Sequence, residues 1–349
     1  MGNLLGFCYK SETVLQKEED TKPVFSWDKR EDLDPADYCF EDLEGVTRGK
    51  LPGQINGQQF SIENCKDCIL FVLDNVASLT VDDCTNCVIF IGPSKGSVFI
   101  RDCTDVKLAV CCQQFRTRDC KRIDTYLHSN TQPIIESSVG MKFACLQINY
   151  PLLADQVKSS GVSLFNNEWS NIYDFTPVEH NSNFSLLPET AKFDTYLTEE
   201  HISSISSSNK VAFSSHNSLF PLTVGTHSRD GFGNTALLSV FLGQVDDYVE
   251  VHKLLKTVQN CECRLRRSKE TRMNTDTVIR IYGESERSQN FNKFAKDGPV
   301  IGFEVEGDID TLRSTLPELQ GVLVYLSTDK TSSKDINNFF NYVDMTMST

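Results

Sequence analysis

The chain has 349 residues, of which 39% are hydrophobic and 23% are charged, a composition typical of a folded protein of about two domains. Its formal net charge of −14 argues against nucleic acid as the main partner, because binding phosphates requires a basic surface. No apolar run reaches the roughly 18 residues of a membrane span, and the first residues lack the pattern of a secretory signal, so we expect neither.

The N-terminus, residues 1–24, is predicted to be a mostly flexible, acylated segment. It begins Met-Gly, so removal of Met1 would make Gly2 available for N-myristoylation, although Gly6 stands where the usual pattern has Ser or Thr. Cys8 is close enough to carry a palmitoyl chain, and two acyl chains hold a protein at a membrane far better than one. The alternative is an unmodified terminus that happens to begin Met-Gly.

The most informative stretch repeats itself between residues 60 and 141. The copies are Phe60–Cys68, Leu79–Cys87, Val98–Val106, Phe115–Ile123 and Pro133–Met141. Their central residues 65, 84, 103, 120 and 138 are 19, 19, 17 and 18 positions apart. Units this short cannot bury a core alone, and their apolar positions follow a strand-like spacing. The pattern predicts a right-handed parallel β-helix within residues 25–180.

Cysteines in the repeat allow a metal-site interpretation. Cys65-x-x-Cys68 and Cys84-x-x-Cys87 have the spacing of a zinc ribbon. The last position of the unit, however, is occupied in turn by Cys68, Cys87, Val106, Ile123 and Met141. A position that accepts these side chains faces a dry core, so a ladder of buried thiols is favoured over zinc and no metal is expected. The 13 cysteines without an export signal agree with reduced, buried thiols.

The repeat also predicts which side chains point outward, because side chains alternate along a strand. One outward ladder consists of Ser61, Thr80, Phe99, Arg116 and Ile134. A second consists of Glu63, Asp82, Arg101, Arg118 and Glu136. Arg116 and Arg118 should therefore share a face, with Glu136 beside Arg118 on the following coil. Considered alone, Arg116 could be an ordinary solvated arginine, and Arg118 could simply pair with Glu136.

The second half of the chain divides into a polar linker, residues 181–232, and a smaller domain, residues 233–349. The predicted elements are a strand at Thr235–Leu242, a helix capped by Asp246 with Val249, His252, Leu255 and Val258 on one face, strands at Thr277–Tyr282 and Gly298–Val305, a helix at Thr311–Leu319, a strand at Gly321–Ser327 and a helix at Lys334–Val343. This alternation predicts a ferredoxin-like α+β domain.

Residues Cys112–Cys120, with their Gln-x-Phe-Arg core, resemble the tubulin-folding cofactor C-like family. Further matching segments are Leu51–Gly53, Gly57–Phe60, Gly92–Phe99, Thr131–Glu136 and Phe165–Ser170. The resemblance implies a GTPase-activating protein for an Arf-like small GTPase, with Arg116 as arginine finger. It places Gly96, Ser97, Gln113, Gln114, Phe115, Arg118, Glu136 and Phe175 at or near the GTPase and its nucleotide.

The same resemblance implies no cofactor of the chain's own, since GTP and Mg²⁺ would be held by the partner. It implies a part in delivering lipidated proteins to ciliary membranes. The expected locations are the cytoplasmic face of the plasma membrane, the cilium and basal body, with some protein in the cytoplasm and on Golgi vesicles. Tubulin is a further possible partner, and a non-catalytic effector or scaffold is the alternative function.

The C-terminal domain resembles the nucleoside diphosphate kinase fold, notably at Asp297–Val300. That family phosphorylates a histidine near its C-terminal active site, whereas the last histidine here is His252, in a predicted helix. A nucleoside diphosphate kinase activity is therefore a weaker hypothesis, and we expect a kinase-like fold without activity. No Gly-x4-Gly-Lys-Ser/Thr motif is present, and Gly92–Ser97 is interpreted as a turn between coils.

Overall fold

The computed structural model describes residues 34–203, 211–213, 217–227, 233–245, 247–284 and 286–347. Its first half is the predicted parallel β-helix. The elements are β1 (Cys39–Glu41), β2 (Thr47–Lys50), β3 (Phe60–Glu63), β4 (Ile69–Val72), β5 (Leu79–Asp82), β6 (Val88–Arg101), β7 (Lys107–Arg118), β8 (Asp124–Ser129), β9 (Ile134–Glu136), β10 (Met141–Cys145), α1 (Leu153–Ser160), β11 (Tyr173–Asp174), β12 (Phe184–Leu186) and α2 (Glu199–Ser203). Gly2 and Cys8 lie outside the described residues.

Strands of the β-helix pair in parallel along two faces. The finger face, as we call it, is built from β1, β3, β5, the ends of β6 and β7, β9 and β11. The opposite face is built from β2, β4, the starts of β6 and β7, β8, β10 and β12. The long strands β6 and β7 pass around the corner that joins the two faces.

Asn and Asp residues in the repeat make the corner that follows the finger face. Asn64, Asp83, Asp102 and Asp119 have φ values of 50°, 53°, 52° and 56°. Asn and Asp tolerate this left-handed conformation better than most residues, because their short side chains can bond locally. The polar residue before each central cysteine is therefore what lets every coil turn at the same place.

Thiols fill the interior of the coils. Cys65, Cys68, Cys84, Cys87, Cys103 and Cys120 are each at most 1% exposed. Burial raises the pKa of Cys65 to about 11 and that of Cys87 to about 12, so these thiols stay protonated at neutral pH. The six side chains thus stack as the predicted ladder of buried cysteines, and among the described residues no group of three or more potential ligands is arranged to hold a metal ion.

The C-terminal part is a four-stranded antiparallel sheet with helices. Its elements are β13 (Asn234–Phe241), α3 (Val249–Asn260), β14 (Arg264–Thr271), α4 (Thr275–Tyr282), α5 (Glu286–Asp297), β15 (Val300–Gly307), α6 (Ile309–Thr315), β16 (Leu323–Leu326) and α7 (Ser332–Met347). The strand order is β14-β15-β13-β16. The sheet order is that of a βαββαβ unit, with α4 and α5 inserted between its second and third strands and α7 added after its last. The likeness to nucleoside diphosphate kinases in particular stays a prediction.

The segment between α3 and β15 differs from the sequence-based expectation, which contained neither β14 nor α5. The segment Thr277–Tyr282, predicted as a strand, is helical, because Asn274 caps α4 by accepting a hydrogen bond from the Thr277 backbone N–H at 2.9 Å. The strand lies earlier in the chain, at β14, whose many charged residues obscure the alternation of apolar and polar residues that indicates a strand. Arg266 and Arg267 there pair with Glu304 on β15 at 2.8 and 2.7 Å.

Helix α3 is present, but its buried face differs from the predicted one. Val251, Leu254, Leu255 and Val258 are buried, whereas Val249 is 56% exposed. The predicted cap, Asp246, lies outside the described residues. The N-terminal turn is instead supported by Asp247, whose carboxylate accepts from the Val249 backbone N–H at 3.0 Å.

The described parts of the segment predicted as a linker are built into the body of the protein. Strand β12 extends the β-helix, and Phe193, Phe213 and Phe220 are each at most 6% exposed. One core cluster runs from Phe71 and Phe90 of the β-helix to side chains of α3 and β15. The β-helix and the C-terminal sheet accordingly belong to one compact unit, Tyr38–Thr349.

His128 should make stability depend on pH. Its ring is fully buried against Phe220, at a centroid distance of 4.4 Å, and Nε2 lies 2.8 Å from the carbonyl oxygen of Ser163. Burial lowers the pKa of His128 from 6.5 to about 4. Between these values the unfolded chain binds a proton that the folded chain does not, so stability is lost as the pH falls from 6.5 towards 4. The full effect is about 3 kcal/mol.

Urea unfolding of wild type and His128→Gln between pH 7 and pH 4.5 tests this expectation. The variant should show a shallower fall in unfolding free energy with decreasing pH, whatever its stability at pH 7. His180→Gln, at an exposed histidine, is the matched control. Identical slopes for wild type and His128→Gln would contradict the assignment.

Candidate functional site

Arg116 lies on the finger face, in the predicted outward ladder. The strand register pairs Ser61 with Thr80, Thr80 with Phe99, Phe99 with Arg116, and Arg116 with Ile134. The second ladder, Glu63, Asp82, Arg101, Arg118 and Glu136, is paired in the same way. Both predicted ladders are confirmed. Arg116 and Arg118 are two residues apart on β7, so both side chains point to the outer side of this strand, and the strands of the neighbouring coils lie about 4.8 Å away.

The arginines of the finger face differ in the contacts that their side chains make. Arg101 pairs with Asp82, its Nε lying 2.6 Å from the carboxylate, and its guanidinium lies 5.4 Å from the centre of the Phe99 ring. Arg118 lies 5.9 Å from the same ring. The Arg116 side chain is exposed, and within the described part of the chain it makes no ion pair or side-chain hydrogen bond.

Arg118 does not pair with Glu136, which the sequence left as an alternative. Its Nε lies 3.3 Å from the carboxylate of Asp119, the residue that follows it at the corner. Glu136 is half-buried on the next coil and enters no ion pair with another described residue. The ladder thus places one carboxylate, Glu136, near two arginines without neutralising Arg116.

A polar row runs beside the ladders. The Ser97 hydroxyl donates to Gln114 Oε1 at 2.8 Å, and these residues face each other in the register of β6 and β7. The carbonyl of Gln113 accepts from the Thr131 backbone N–H at 3.1 Å and from its hydroxyl at 3.0 Å. Gly96 has no room for a side chain, since a Cβ would lie 2.7 Å from the Ala77 carbonyl oxygen. These residues fix the backbone next to Arg116.

Phe115, implied by the resemblance to lie at or near the GTPase, points into the core. It is 0% exposed and packs edge-on against Phe143, with ring centres 6.3 Å apart. Alternation along the strand makes this necessary, because Phe115 precedes the outward-pointing Arg116. Its side chain cannot touch a partner, and it serves instead to anchor the strand beneath the arginine.

Two exposed aromatic side chains extend the ladders at one end. Tyr173 pairs in register with Ile134 and is 49% exposed, and Phe175 is 61% exposed. Their rings lie 6.3 Å apart, edge to face. Tyr173 therefore continues the Arg116 ladder, which sequence reasoning missed. The available signal was the alternation Tyr173-Asp174-Phe175, but it stands well after the repeat.

Polar contacts continue from this row towards the C-terminal sheet. Gln132 donates to Asn171 at 3.1 Å, and Asn171 donates to Glu168 at 2.9 Å. Glu168 pairs with Lys269 of β14, a lysine that is only 4% exposed. These residues line a cleft of about 900 Å³ between the β-helix and the C-terminal sheet. The charged groups of the cleft are largely paired with one another.

The only histidine of the described C-terminal sheet and helices, His252, is engaged by the backbone. Its Nδ1 lies 2.8 Å from the carbonyl oxygen of Tyr248, and its Nε2 lies 3.2 Å from that of Leu219. Both ring nitrogens thus face acceptors rather than an open pocket. In the described residues, no helix has the length and apolar character of a membrane span.

Comparison with known proteins gives consistent matches. The family model described as Tubulin binding cofactor C matches residues 57–175. The chain is 44% identical to Protein XRP2 of Danio rerio, over 99% of this chain and 92% of that protein. It is 41% identical to Protein XRP2 of Homo sapiens, over 96% of both. It is 30% identical to Tubulin-specific chaperone C of Homo sapiens, over 45% of this chain and 47% of that protein.

Proposed function

Because the chain belongs to the XRP2 proteins of the cofactor C-like family, we propose that it is a GTPase-activating protein that supplies Arg116 in trans to the GTP form of an Arf-like small GTPase. One observation carries the proposal. Arg116 is an exposed guanidinium without an ion-pair partner among the described residues, at the centre of a face built of rigid, paired strands. The segment matched by the family model, residues 57–175, contains this face from β3 to Phe175.

The chemistry suits an arginine presented in this way. Hydrolysis of GTP develops negative charge on the γ-phosphate, and an arginine supplied in trans accelerates it by roughly 10³ to 10⁵, or about 4 to 7 kcal/mol. The guanidinium is permanently charged and donates in a planar fork. Since both neighbouring coils already hold the backbone of Arg116, little ordering entropy is lost when the partner docks. GTP and Mg²⁺ would remain on the partner.

Neighbouring residues have separate roles in this proposal. Arg118, held by Phe99 and Asp119, adds positive potential that guides the nucleotide-bearing surface. Ser97 and Gln114 form a polar edge, and Glu136 can accept hydrogen bonds from the partner or orient Arg116. Gly96 and Gln113 contribute through the backbone rather than through side chains. The engaged nitrogens of His252 support a C-terminal part without phosphotransfer activity.

The test is single-turnover GTP hydrolysis by a panel of Arf-like GTPases, each measured with and without the full chain. The proposal expects strong acceleration for at least one GTPase, together with preferential binding of its GTP form. Binding of the GTP form with unchanged hydrolysis would identify a non-catalytic effector instead. Absence of binding throughout the panel would refute the proposal.

We expect Tyr173 and Phe175 to contribute to binding of the GTPase without taking part in the hydrolysis of GTP. Exposed aromatic side chains beside arginines are typical binding hot spots, and truncating one costs about 1 to 2 kcal/mol or more. Tyr173→Ala and Phe175→Ala should each weaken binding of a GTPase loaded with a non-hydrolysable GTP analogue by roughly tenfold or more. Hydrolysis at saturating concentration should be unchanged.

Val139→Ala is the matched control for these variants, because Val139 is 46% exposed but lies at the corner row beside Lys121. Biolayer interferometry on all three variants measures the comparison. Equal losses for Val139→Ala and the aromatic variants would show that the finger face is not the docking surface.

Membrane attachment through Gly2 and Cys8 is proposed as the means by which the protein works on lipidated cargo at the plasma membrane and cilium. One myristoyl chain binds membranes only marginally, so two chains give stable attachment. Gly2→Ala should move the protein from the membrane fraction to the soluble fraction, and Cys8→Ser should do so in part. Fractionation of cells expressing each variant checks this. An unchanged distribution for Gly2→Ala would contradict it.

Tubulin is a second candidate partner. The observation that favours it is the match to relatives named for tubulin, the family model Tubulin binding cofactor C and the Tubulin-specific chaperone C of Homo sapiens. Co-sedimentation of the full chain with purified tubulin dimers would reveal such binding. An effect of Arg116→Ala on that binding would place both partners on the finger face.

A further inference from the structure

Phe99 lies directly beside Arg116 on the finger face. The two residues are paired in register across β6 and β7, and Phe99 is half-buried. The guanidinium carbons of Arg101 and Arg118 lie 5.4 and 5.9 Å from the centre of the Phe99 ring. Both distances fall within the roughly 6 Å over which an aromatic ring attracts a cation. One ring therefore contacts both arginines of the second ladder.

The orientation of Arg118 is not the one that its charge alone favours. In the strand register, Arg118 is paired with Arg101 on the preceding coil and with Glu136 on the following coil. Like charges opposite each other in a sheet are destabilising, whereas opposite charges are stabilising. Charge alone would therefore turn Arg118 towards Glu136, yet its guanidinium lies near Phe99 on the preceding coil. An attraction on that side must offset the ion pair that is not made.

Arg101 does not repel Arg118 as strongly as a free arginine would. Both Nε and Nη2 of Arg101 donate to the Asp82 carboxylate, with Nε at 2.6 Å from the nearer oxygen. This bidentate pair offsets the positive charge that Arg118 meets on the preceding coil. The Phe99 ring then supplies the attraction on that side.

The contact of Arg118 with Asp119 does not by itself explain the orientation. It joins side chains that are 43% and 51% exposed, at 3.3 Å, so it is no stronger than an exposed pair with Glu136 would be. An exposed cation–π contact and an exposed ion pair each change a population by up to about fivefold. Since the competing contacts are of similar strength, a single ring is sufficient to decide between them.

We propose that Phe99 is a positioning residue of the finger face. Its ring keeps Arg118 turned away from Glu136, so that the Glu136 carboxylate stays unpaired among the described residues and available to a basic side chain of the GTPase. Without the ring, Arg118 pairs with Glu136, and each neutralises a group that the partner would otherwise meet. The docking role of Glu136 rests on the proposed function, whereas the placement of Arg118 by Phe99 does not.

Proton–nitrogen correlation NMR spectra of the arginine Nε–H groups test the placement in the free full chain, with the Arg118 signal assigned from Arg118→Lys. In the wild-type background, Glu136→Gln should shift this signal little, because the two side chains are apart. In Phe99→Leu, which keeps an apolar side chain without the ring, Glu136→Gln should shift it several times more. Phe99→Tyr retains the ring and should behave as wild type. Equal shifts in all backgrounds would overturn the proposal.

Binding to a GTPase loaded with a non-hydrolysable GTP analogue measures the consequence for docking. Phe99→Leu should weaken binding by about 2- to 5-fold, and Phe99→Tyr should not. In the Glu136→Gln background no carboxylate is left to capture Arg118, so Phe99→Leu should cause no further loss. Hydrolysis at saturating concentration should match wild type, because Arg116 is unchanged. Phe99→Met, which also lacks a ring, replaces Phe99→Leu if circular dichroism shows that the leucine variant is not folded.

The two measurements separate the positioning of Arg118 from the proposed function. A loss of affinity in Phe99→Leu that persists in full after Glu136→Gln, or a slower rate at saturation, would contradict the role of Phe99 in keeping Glu136 free. The expected NMR shifts together with no binding of any GTPase to wild type would refute the proposed function and confirm the placement of Arg118.

Discussion

Replacing Arg116 by alanine is expected to abolish GTPase activation while leaving the complex intact. The reason is that Arg116 makes no side-chain ion pair or hydrogen bond within the described part of the fold, so its removal disturbs no packing. An arginine that acts only on the developing γ-phosphate charge contributes to the transition state far more than to ground-state binding. The stimulated rate should fall by roughly 10³ or more, towards the intrinsic rate of the GTPase.

Arg116→Lys should restore little of this activity. The ammonium group keeps the charge, but it is a single point donor on a flexible stem and cannot present two N–H groups in one plane. Arg118→Ala should act differently, weakening docking more than the rate at saturation, because Phe99 and Asp119 hold that guanidinium in place. Stopped-flow phosphate release under single-turnover conditions separates the two effects.

Arg122→Ala is the matched control for the arginine variants. Arg122 is exposed on the same β-helix, but it lies at the corner and forms a bidentate pair with Asp105 at 2.6 Å. Exposed pairs of this kind contribute little to stability, so activation should be preserved. If Arg116→Ala accelerates hydrolysis as wild type does, the catalytic cation lies elsewhere and the assignment fails.

The geometry of the finger face could be predicted from the sequence because it rests on a local rule. A coil of 17 to 19 residues that stacks on its copies fixes the strand register, and alternation along the strand then fixes which side chains point outward. Both ladders of five residues were obtained in this way. The Asn and Asp residues at the corners recur with the same period.

The features that escaped prediction depend on longer-range or finer effects. Tyr173 pairs with Ile134 although it lies 39 positions later in the chain, and no copy of the sequence repeat includes it. Arg118 pairs with Asp119 rather than with Glu136, and this depends on side-chain rotamers, which the strand register does not determine. Strand β14 contains several arginines, and these fit in a sheet because Glu304 and Glu306 of the neighbouring strand β15 form ion pairs with them. In each case tertiary contacts override the local pattern.

Phe115→Ala is expected to have the largest effect on stability of the substitutions considered. Phe115 is fully buried in the β-helix, and its ring lies edge-on to Phe143, which in turn lies 6.4 Å from Phe184 of β12. Truncating a buried phenylalanine costs about 3 to 5 kcal/mol, because transfer energy is lost and the rigid coils cannot collapse onto the cavity. Urea unfolding should show this loss at neutral pH.

Phe175→Ala, on the surface of the same face, should leave unfolding within about 0.5 kcal/mol of wild type while it weakens binding of the GTPase. The two phenylalanines thus separate the two requirements of an arginine finger, a stiff support below and a docking surface beside it. Phe115→Leu should recover much of the stability, since it refills most of the volume. A Phe115→Ala protein as stable as wild type would mean that the finger strand is held by its backbone ladder rather than by this core, and the rigid mounting of Arg116 would need another explanation.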